Sequence, residues 1–206
     1  MNWKEYFDKM INWKGLPSYK VEPRVDSFIG FYLKQIIETK YKIIVEGIIP
    51  EFPIRKGAIE PEFENTNLSY KVDFLVVGKK DTNYLVEIKT NTSSRNVKQD
   101  NYLIKAKKIG TEKIIDGVIK ITTSTHSMKK YKHLIDELIK LELLDENYKY
   151  TKKNEKIEIL YVQPSNKMDE DNIIDFKEIS NYLLNLYNKS DFEEQFAQAL
   201  NKWSVD

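Results

Sequence analysis

The stretch "SYKVDFLVVGKKDTNYLVEIKT", residues 69–90, decides the fold, because it contains two strongly apolar runs joined by turn residues. Both runs are rich in β-branched and aromatic residues, and the "GKKD" between them is typical of a hairpin turn. We therefore predict two adjoining antiparallel strands, with Asp73 in the first and Glu87 and Lys89 in the second. Charged side chains are uncommon in strands this apolar, so they indicate a purpose beyond packing.

The register of this hairpin follows from its length. If Asp73 lies across from Glu87, a three-residue loop remains at Lys79–Asp81, and three-residue hairpin loops are common. The same register places Val77 across from Asn83. Directly opposed positions bring Cβ atoms to about 4.5–5.5 Å, so the two carboxylates are expected to be close enough to hold one cation.

These side chains favour a hard divalent metal ion. Mg²⁺ prefers oxygen ligands and keeps several waters, which suits the carboxylates of Asp73 and Glu87 with the backbone carbonyl of Ile88 as a third ligand. Side chains alternate along a strand, so Lys89 shares a face with Glu87. A cation beside a metal-bound water orients the nucleophile or stabilises charge on a phosphate. The pattern indicates phosphodiester hydrolysis.

Composition narrows the class of protein. The chain has 206 residues, 41% of them hydrophobic, which indicates a globular protein. It has no cysteine, so disulfides and thiolate metal sites are excluded. No apolar run approaches the length of a membrane span, and we expect a soluble, cytoplasmic protein without a membrane partner. The chain also lacks a glycine-rich phosphate loop, which argues against an enzyme acting on nucleoside triphosphates.

Periodicity along the rest of the chain predicts an α/β fold with a mixed central sheet flanked by helices. Helices are expected at 3–14, 22–41, 97–108 and 127–144, with Gly110 ending the third. Two C-terminal helices are expected from the capping boxes Asp175/Glu178 and Ser190/Glu193. Besides the hairpin, strands are expected at 42–54, as an irregular or edge strand, at 116–124 and at 156–164.

The "VDF" with Asp73 and the "EIK" with Glu87 and Lys89 resemble the signature of the PD-(D/E)xK nuclease superfamily. The resemblance covers about residues 20–125 and includes the helices before and after the motif. It implies a restriction-endonuclease-like core with a four-stranded mixed sheet, and Mg²⁺- or Mn²⁺-dependent cleavage of DNA, less often of RNA. Val72 stands where the family signature has proline.

Carried over by position, the resemblance makes Asp73 and Glu87 metal ligands and Lys89 the catalytic lysine. It also implies an acidic residue on the first core helix, for which Asp26 matches better than Glu22 or Glu38 because Ile29 and Leu33 follow on its face. A first-turn acid that complements the helix dipole is the alternative for Asp26. For the hairpin residues the alternative is a surface ion pair worth well under about 1 kcal/mol, against which the apolar neighbours argue.

Residues on the helix after Lys89 are candidates for contacting nucleic acid. The resemblance implies this for Gln99 and Tyr102 in "QDNY", for which a solvated amide and a core aromatic are the alternatives. Between Lys89 and Lys113 there are seven basic and two acidic residues, a local excess of +5 in a chain with a net charge of +1. We predict that this excess attracts a phosphate backbone, with contacts from the following residues: Arg95, Lys98 and Lys105.

We expect one nuclease-like domain over residues 1–206, with a core at about 20–165 and added helices at 1–15 and 173–204. The competing function is a catalytically inactive module of the same fold that binds nucleic acid or protein, including as a subunit of a defence or repair complex. A homodimer is left open.

Overall fold

The computed structural model describes residues 2–14, 16, 20–91, 95–124, 128–167 and 170–205. In this part of the chain the helices are α1 (Trp3–Lys14), α2 (Glu22–Tyr41), α3 (Lys56–Ile59), α4 (Val97–Ser124), α5 (Met128–Lys140), α6 (Phe176–Leu184) and α7 (Asp191–Trp203). The strands are β1 (Val45–Arg55), β2 (Ser69–Gly78), β3 (Thr82–Ile88), β4 (Lys156–Gln163) and β5 (Ile173–Asp175), and a 3₁₀ turn spans Pro61–Phe63. None of the described helices is long and apolar enough to cross a membrane.

The described strands form one mixed sheet in the order β1-β2-β3-β4-β5. β2 pairs antiparallel with β1 and with β3, whereas β4 and β5 are parallel. The predicted α/β fold, a mixed sheet flanked by helices, is confirmed. The sheet has five strands, whereas the family resemblance implies four. The short strand β5 was not predicted, because three residues are too few to show a period.

β1 is an edge strand, as its sequence predicts. Pro50 and Pro53 lie within it, and an edge strand tolerates residues that cannot donate a backbone hydrogen bond. The ladder to β2 shifts between Val45 and Gly47, and Glu51 has a φ of 51°. These irregularities are typical of edge strands that resist pairing with a second chain.

The predicted hairpin is present with the predicted register. Val77 lies across from Asn83 and Phe74 across from Val86. β2 ends at Gly78 and β3 begins at Thr82, which leaves the three-residue loop expected from the sequence.

The predicted strand at 116–124 is wrong, because α4 continues to Ser124. Gly110, which was expected to end a helix, instead kinks α4, with a φ of 80° and a ψ of 174°. The segment after the kink buries Ile114, Val118 and Ile121, a helical spacing that a short β-branched run does not distinguish from a strand. Packing decides the outcome at Gly117, where an added Cβ would lie 3.1 Å from the Cβ of Arg55.

The chain divides into two compact units, each built from separated segments. The first unit contains Met1–Ile36, Ile88–Arg95 and Leu160–Asp206. The second contains Ile37–Glu87 and Asn96–Ile159. One nuclease-like domain over the whole chain stays a prediction.

The first unit has an aromatic core in which α1 packs against α7. Phe7 stacks on Phe196 with ring centroids 5.5 Å apart, and Trp3 meets Phe192 edge-on at 4.8 Å. Trp203 is buried as well. Phe7, Phe196 and Trp203 are therefore buried within this unit, whereas Trp13 is exposed.

Both predicted capping boxes are confirmed, and the second continues into the core. Glu193 accepts a hydrogen bond from the Ser190 backbone N–H at 2.8 Å and another from the Tyr32 hydroxyl at 2.7 Å. Burial by itself raises the pKa of Glu193, but hydrogen bonds from Ser190 and Tyr32 outweigh it and lower the pKa to about 2. These bonds therefore stabilise the ionised carboxylate.

Candidate active site

The carboxylates of Asp73 and Glu87 lie on the same face of the sheet, in the second unit. The register pairs Phe74 with Val86, so one further step along the hairpin places Asp73 across from Glu87. Glu87 is 1% exposed, and Asp73 is half-buried. The strand register thus agrees with the pairing expected from the hairpin length.

Gln99 and Tyr102, three residues apart on α4, both bind Glu87. The Gln99 side-chain amide donates to Oε2 of Glu87 at 2.6 Å, and the Tyr102 hydroxyl donates to Oε1 at 2.8 Å. Burial, the charge of Glu87 and the charge of Asp73 raise the pKa of Tyr102. Both carboxylates therefore act on one hydroxyl, and the phenol stays protonated as a donor at neutral pH.

A second layer of side chains supports Tyr102. The ring of Tyr70 stacks on it with centroids 4.4 Å apart and an interplanar angle of 6°. The Tyr70 hydroxyl donates to Glu60 at 2.9 Å, and Lys105 forms an ion pair with Glu60 at 2.8 Å. Lys105 lowers the pKa of Glu60 despite its partial burial. The aromatic ring that orients Glu87 is thus fixed by its own partners.

Sequence reasoning missed this second layer. Tyr70 precedes the motif on β2, and Glu60 belongs to the segment 57–67, which reads as an acidic loop but contains a short helix and a 3₁₀ turn. The only sequence signal is the two-residue period of β2, which places Tyr70 and Val72 on the same face but does not identify the partner of either. Tertiary packing brings these residues to Tyr102.

Lys89 belongs to the first unit and is the first residue after β3. Its side chain is buried, and its backbone N–H donates to the carbonyl of Val162 at 2.7 Å. Lys89 also lines a cavity of about 400 Å³ together with Lys14 and Lys20. A lysine buried in this way is out of place in a solvated surface ion pair, which disfavours that alternative.

Asp26 lies on α2 in the first unit. It is the fifth residue of the helix and half-buried, and its Oδ1 accepts a hydrogen bond from the Ser27 backbone N–H at 2.6 Å. Glu22 occupies the first turn, where an acid complements the helix dipole most directly. Asp26 as a metal ligand stays a prediction.

The basic residues predicted to contact phosphate differ in their surroundings. Lys98 is exposed. Lys105 is engaged with Glu60, and the Arg95 guanidinium lies 4.2 Å from the centroid of the Tyr161 ring. Contact of Arg95 and Lys105 with nucleic acid would therefore compete with these protein contacts.

The residues fit a hard divalent ion in their chemistry, although they provide few ligands. Across the described ranges, no group of three or more His, Cys, Asp or Glu side chains forms a metal cluster. The carboxylates of Asp73 and Glu87 and the carbonyl of Ile88 offer only oxygen, which suits Mg²⁺ or Mn²⁺ and does not match the nitrogen and sulfur ligands that zinc prefers. Gln99 and Tyr102 each donate a hydrogen bond to a different oxygen of Glu87.

Comparison of the chain with protein-family models, with curated proteins and with solved structures finds no match.

Proposed function

We propose that the protein is a metal-dependent nuclease of the PD-(D/E)xK type, which hydrolyses phosphodiester bonds in nucleic acid, with DNA favoured over RNA. The observation that supports this is the buried Glu87, held by Gln99 and Tyr102 across the hairpin from Asp73. Burying carboxylates in apolar strands costs stability, and such arrangements cluster at functional sites.

Asp73, Glu87 and the backbone carbonyl of Ile88 would hold Mg²⁺ or Mn²⁺. When bound, the ion supplies Lewis-acid polarisation of the phosphate and lowers the pKa of its water. Gln99 and Tyr102 hold the Glu87 carboxylate in one orientation, the function that outer hydrogen-bond partners have at metal sites.

Lys89 contributes the positive charge of the proposed mechanism. Its ammonium group stabilises the negative charge that develops on the phosphate as the bond to the leaving oxygen breaks. Because the side chain is buried, this charge acts in a medium of lower dielectric than water and is correspondingly stronger.

The test is a cleavage assay on single- and double-stranded DNA and RNA with Mg²⁺, Mn²⁺ or EDTA. We expect the wild type to cut with either metal and not in EDTA. Asp73→Asn, Glu87→Gln and Lys89→Ala should each lower the rate by about 100-fold or more, as removal of one charge-stabilising group does elsewhere. Asp116→Asn, an exposed acid on α4, is the matched control and should cut like the wild type.

A wild type that binds nucleic acid but never cuts it would contradict the proposal. So would Asp73→Asn and Lys89→Ala variants that cut as fast as the wild type. Cutting that persists in all variants and decreases as the protein is purified further would identify a contaminating nuclease. It would equally contradict the proposed function.

The second candidate is an inactive module of the same fold that binds nucleic acid. It is favoured by one observation: protein donors already engage both oxygens of Glu87, so the carboxylate is satisfied without a metal. This candidate predicts equal affinity for nucleic acid in Mg²⁺ and in EDTA, and no effect of Mg²⁺ on thermal stability. The nuclease predicts stabilisation by Mg²⁺.

A further inference from the structure

A cavity of about 460 Å³ opens in the second unit between α5 and the edge of the sheet formed by β1 and β2. Its walls are mainly apolar: Ile49 and Pro53 come from β1, and Tyr131 and Leu134 come from α5. Tyr131 and Leu134 are both half-buried, so part of each side chain faces the opening. An apolar cavity with an aromatic wall suits a flat ring.

The cavity lies beside the candidate active site. Lys71 lines it, and the backbone carbonyl of the same residue lies 3.0 Å from the Tyr102 hydroxyl that binds Glu87. Asp73 is two residues further along β2, so its side chain is on the same face as that of Lys71. A ligand in the cavity would therefore continue toward the two carboxylates.

The charges at the cavity favour an anion. Its two acidic residues are engaged: Glu51 pairs with Lys71 at 2.9 Å, and Glu137 pairs with Lys140 at 3.4 Å. Lys130 also lines the cavity and is exposed, and no acidic side chain of the described ranges pairs with it. It lies in the first turn of α5, where the helix dipole adds positive potential.

We propose that this cavity receives one unpaired nucleotide of the substrate strand. The base packs against Tyr131 and Leu134, and its phosphate meets Lys130. The inference rests on the proposed function and deepens it, because it assigns single-stranded nucleic acid, or a duplex with an unpaired end, as the substrate class. A base within a duplex would first have to be unpaired and unstacked, whereas a free base stacks on an aromatic ring regardless of its identity.

The test measures binding in EDTA, which separates it from cleavage. The full chain is titrated into a fluorescein-labelled single strand and a duplex of equal length, and anisotropy is recorded. We expect the wild type to bind the single strand more tightly. Tyr131→Ala should weaken single-strand binding by about fivefold or more, the lower end of what one stacked base contributes. Leu134→Trp, which fills the cavity, should have the same effect.

Two lysines of α5 provide a matched pair of variants. Lys130→Ala should weaken single-strand binding, whereas Lys132→Ala, which removes an exposed lysine that does not line the cavity, should leave it within about twofold. Equal losses in the two variants would indicate diffuse attraction and overturn the inference. Thermal unfolding midpoints close to that of the wild type confirm that each variant is folded.

The inference fails if the wild type binds duplex as tightly as single strand, or if Tyr131→Ala and Leu134→Trp both keep wild-type affinity. It also fails if the wild type binds no nucleic acid. That result would also be expected if an apolar peptide occupied the cavity instead. Cleavage in Mg²⁺ that is unaffected by Tyr131→Ala would refute the role proposed for the cavity, while the proposed nuclease function would stand. Binding that depends on the cavity residues, without any cleavage, would support the role proposed for the cavity and refute the proposed nuclease function.

Discussion

The substitution Tyr102→Phe removes the hydroxyl that supports Glu87 and keeps the aromatic ring. That hydroxyl donates to Oε1 of Glu87 at 2.8 Å, in a place where the carboxylate is 1% exposed. The phenylalanine ring would keep the stacking on Tyr70, and Gln99 would still donate to the other oxygen of Glu87. The main loss is therefore the hydrogen bond to a buried acidic group, together with the 3.0 Å contact of the same hydroxyl with the Lys71 backbone carbonyl.

The size of the effect follows from that bond. Hydrogen bonds to charged groups contribute about 1.5–3 kcal/mol to the free energy of unfolding. In a protein of this size 1 kcal/mol corresponds to roughly 2–4 °C, so the thermal midpoint should fall by roughly 3–12 °C. If Glu87 binds metal, the looser carboxylate should also lower metal affinity or activity by about 10- to 100-fold.

Urea unfolding followed by circular dichroism measures the change, within a double-mutant cycle that includes Glu87→Gln. The control is Tyr84→Phe, since the hydroxyl of Tyr84 makes no hydrogen bond within the described residues. We expect Tyr84→Phe to be nearly neutral and Tyr102→Phe to cost less once Glu87 is a glutamine. A coupling energy below about 0.5 kcal/mol would refute the reasoning, because contacts that matter exceed it.

Three further predictions concern metal, backbone and pH. Mg²⁺ at about 100 times its dissociation constant should raise the free energy of unfolding of the wild type by about 2.7 kcal/mol, and Asp73→Asn should abolish this gain in thermal scans with and without EDTA. Gly110→Ala should cost about 1–3 kcal/mol in urea unfolding, since its backbone geometry is nearly confined to glycine and the new Cβ would lie 3.3 Å from the Glu155 carbonyl oxygen; a neutral result would contradict the kink. Tyr32→Phe should lower the free energy of unfolding by about 1 kcal/mol at pH 6 and by almost nothing at pH 2. The pKa of Glu193 is lowered from 4.5 to about 2, so its hydrogen bonds add stability at pH values above 4.5, and this stability is lost as the pH falls to about 2. Equal costs at both pH values would contradict this.

The sequence by itself determined the hairpin and its register, which runs from Val77–Asn83 to Phe74–Val86 and whose next step is the expected pairing of Asp73 with Glu87. Those features depend on the turn residues at 78–81 and on the two-residue period of strands, both of which are local. The capping boxes at the C-terminal helices were predictable for the same reason, since a cap involves residues three apart. Gln99 and Tyr102 became candidates through the resemblance to the nuclease family, which implies a glutamine and a tyrosine on the helix after the motif.

Only the tertiary structure decided what those residues contact. It makes 116–124 a helix, because Gly117 allows α4 to approach Arg55 closely enough to bury a β-branched run that would suit a strand equally well. It places Tyr70 on Tyr102 and the cavity beside Lys71, which depend on residues far apart in the chain. A pattern within a short window states which face of an element is apolar, whereas the partner of that face is chosen by packing across the whole unit.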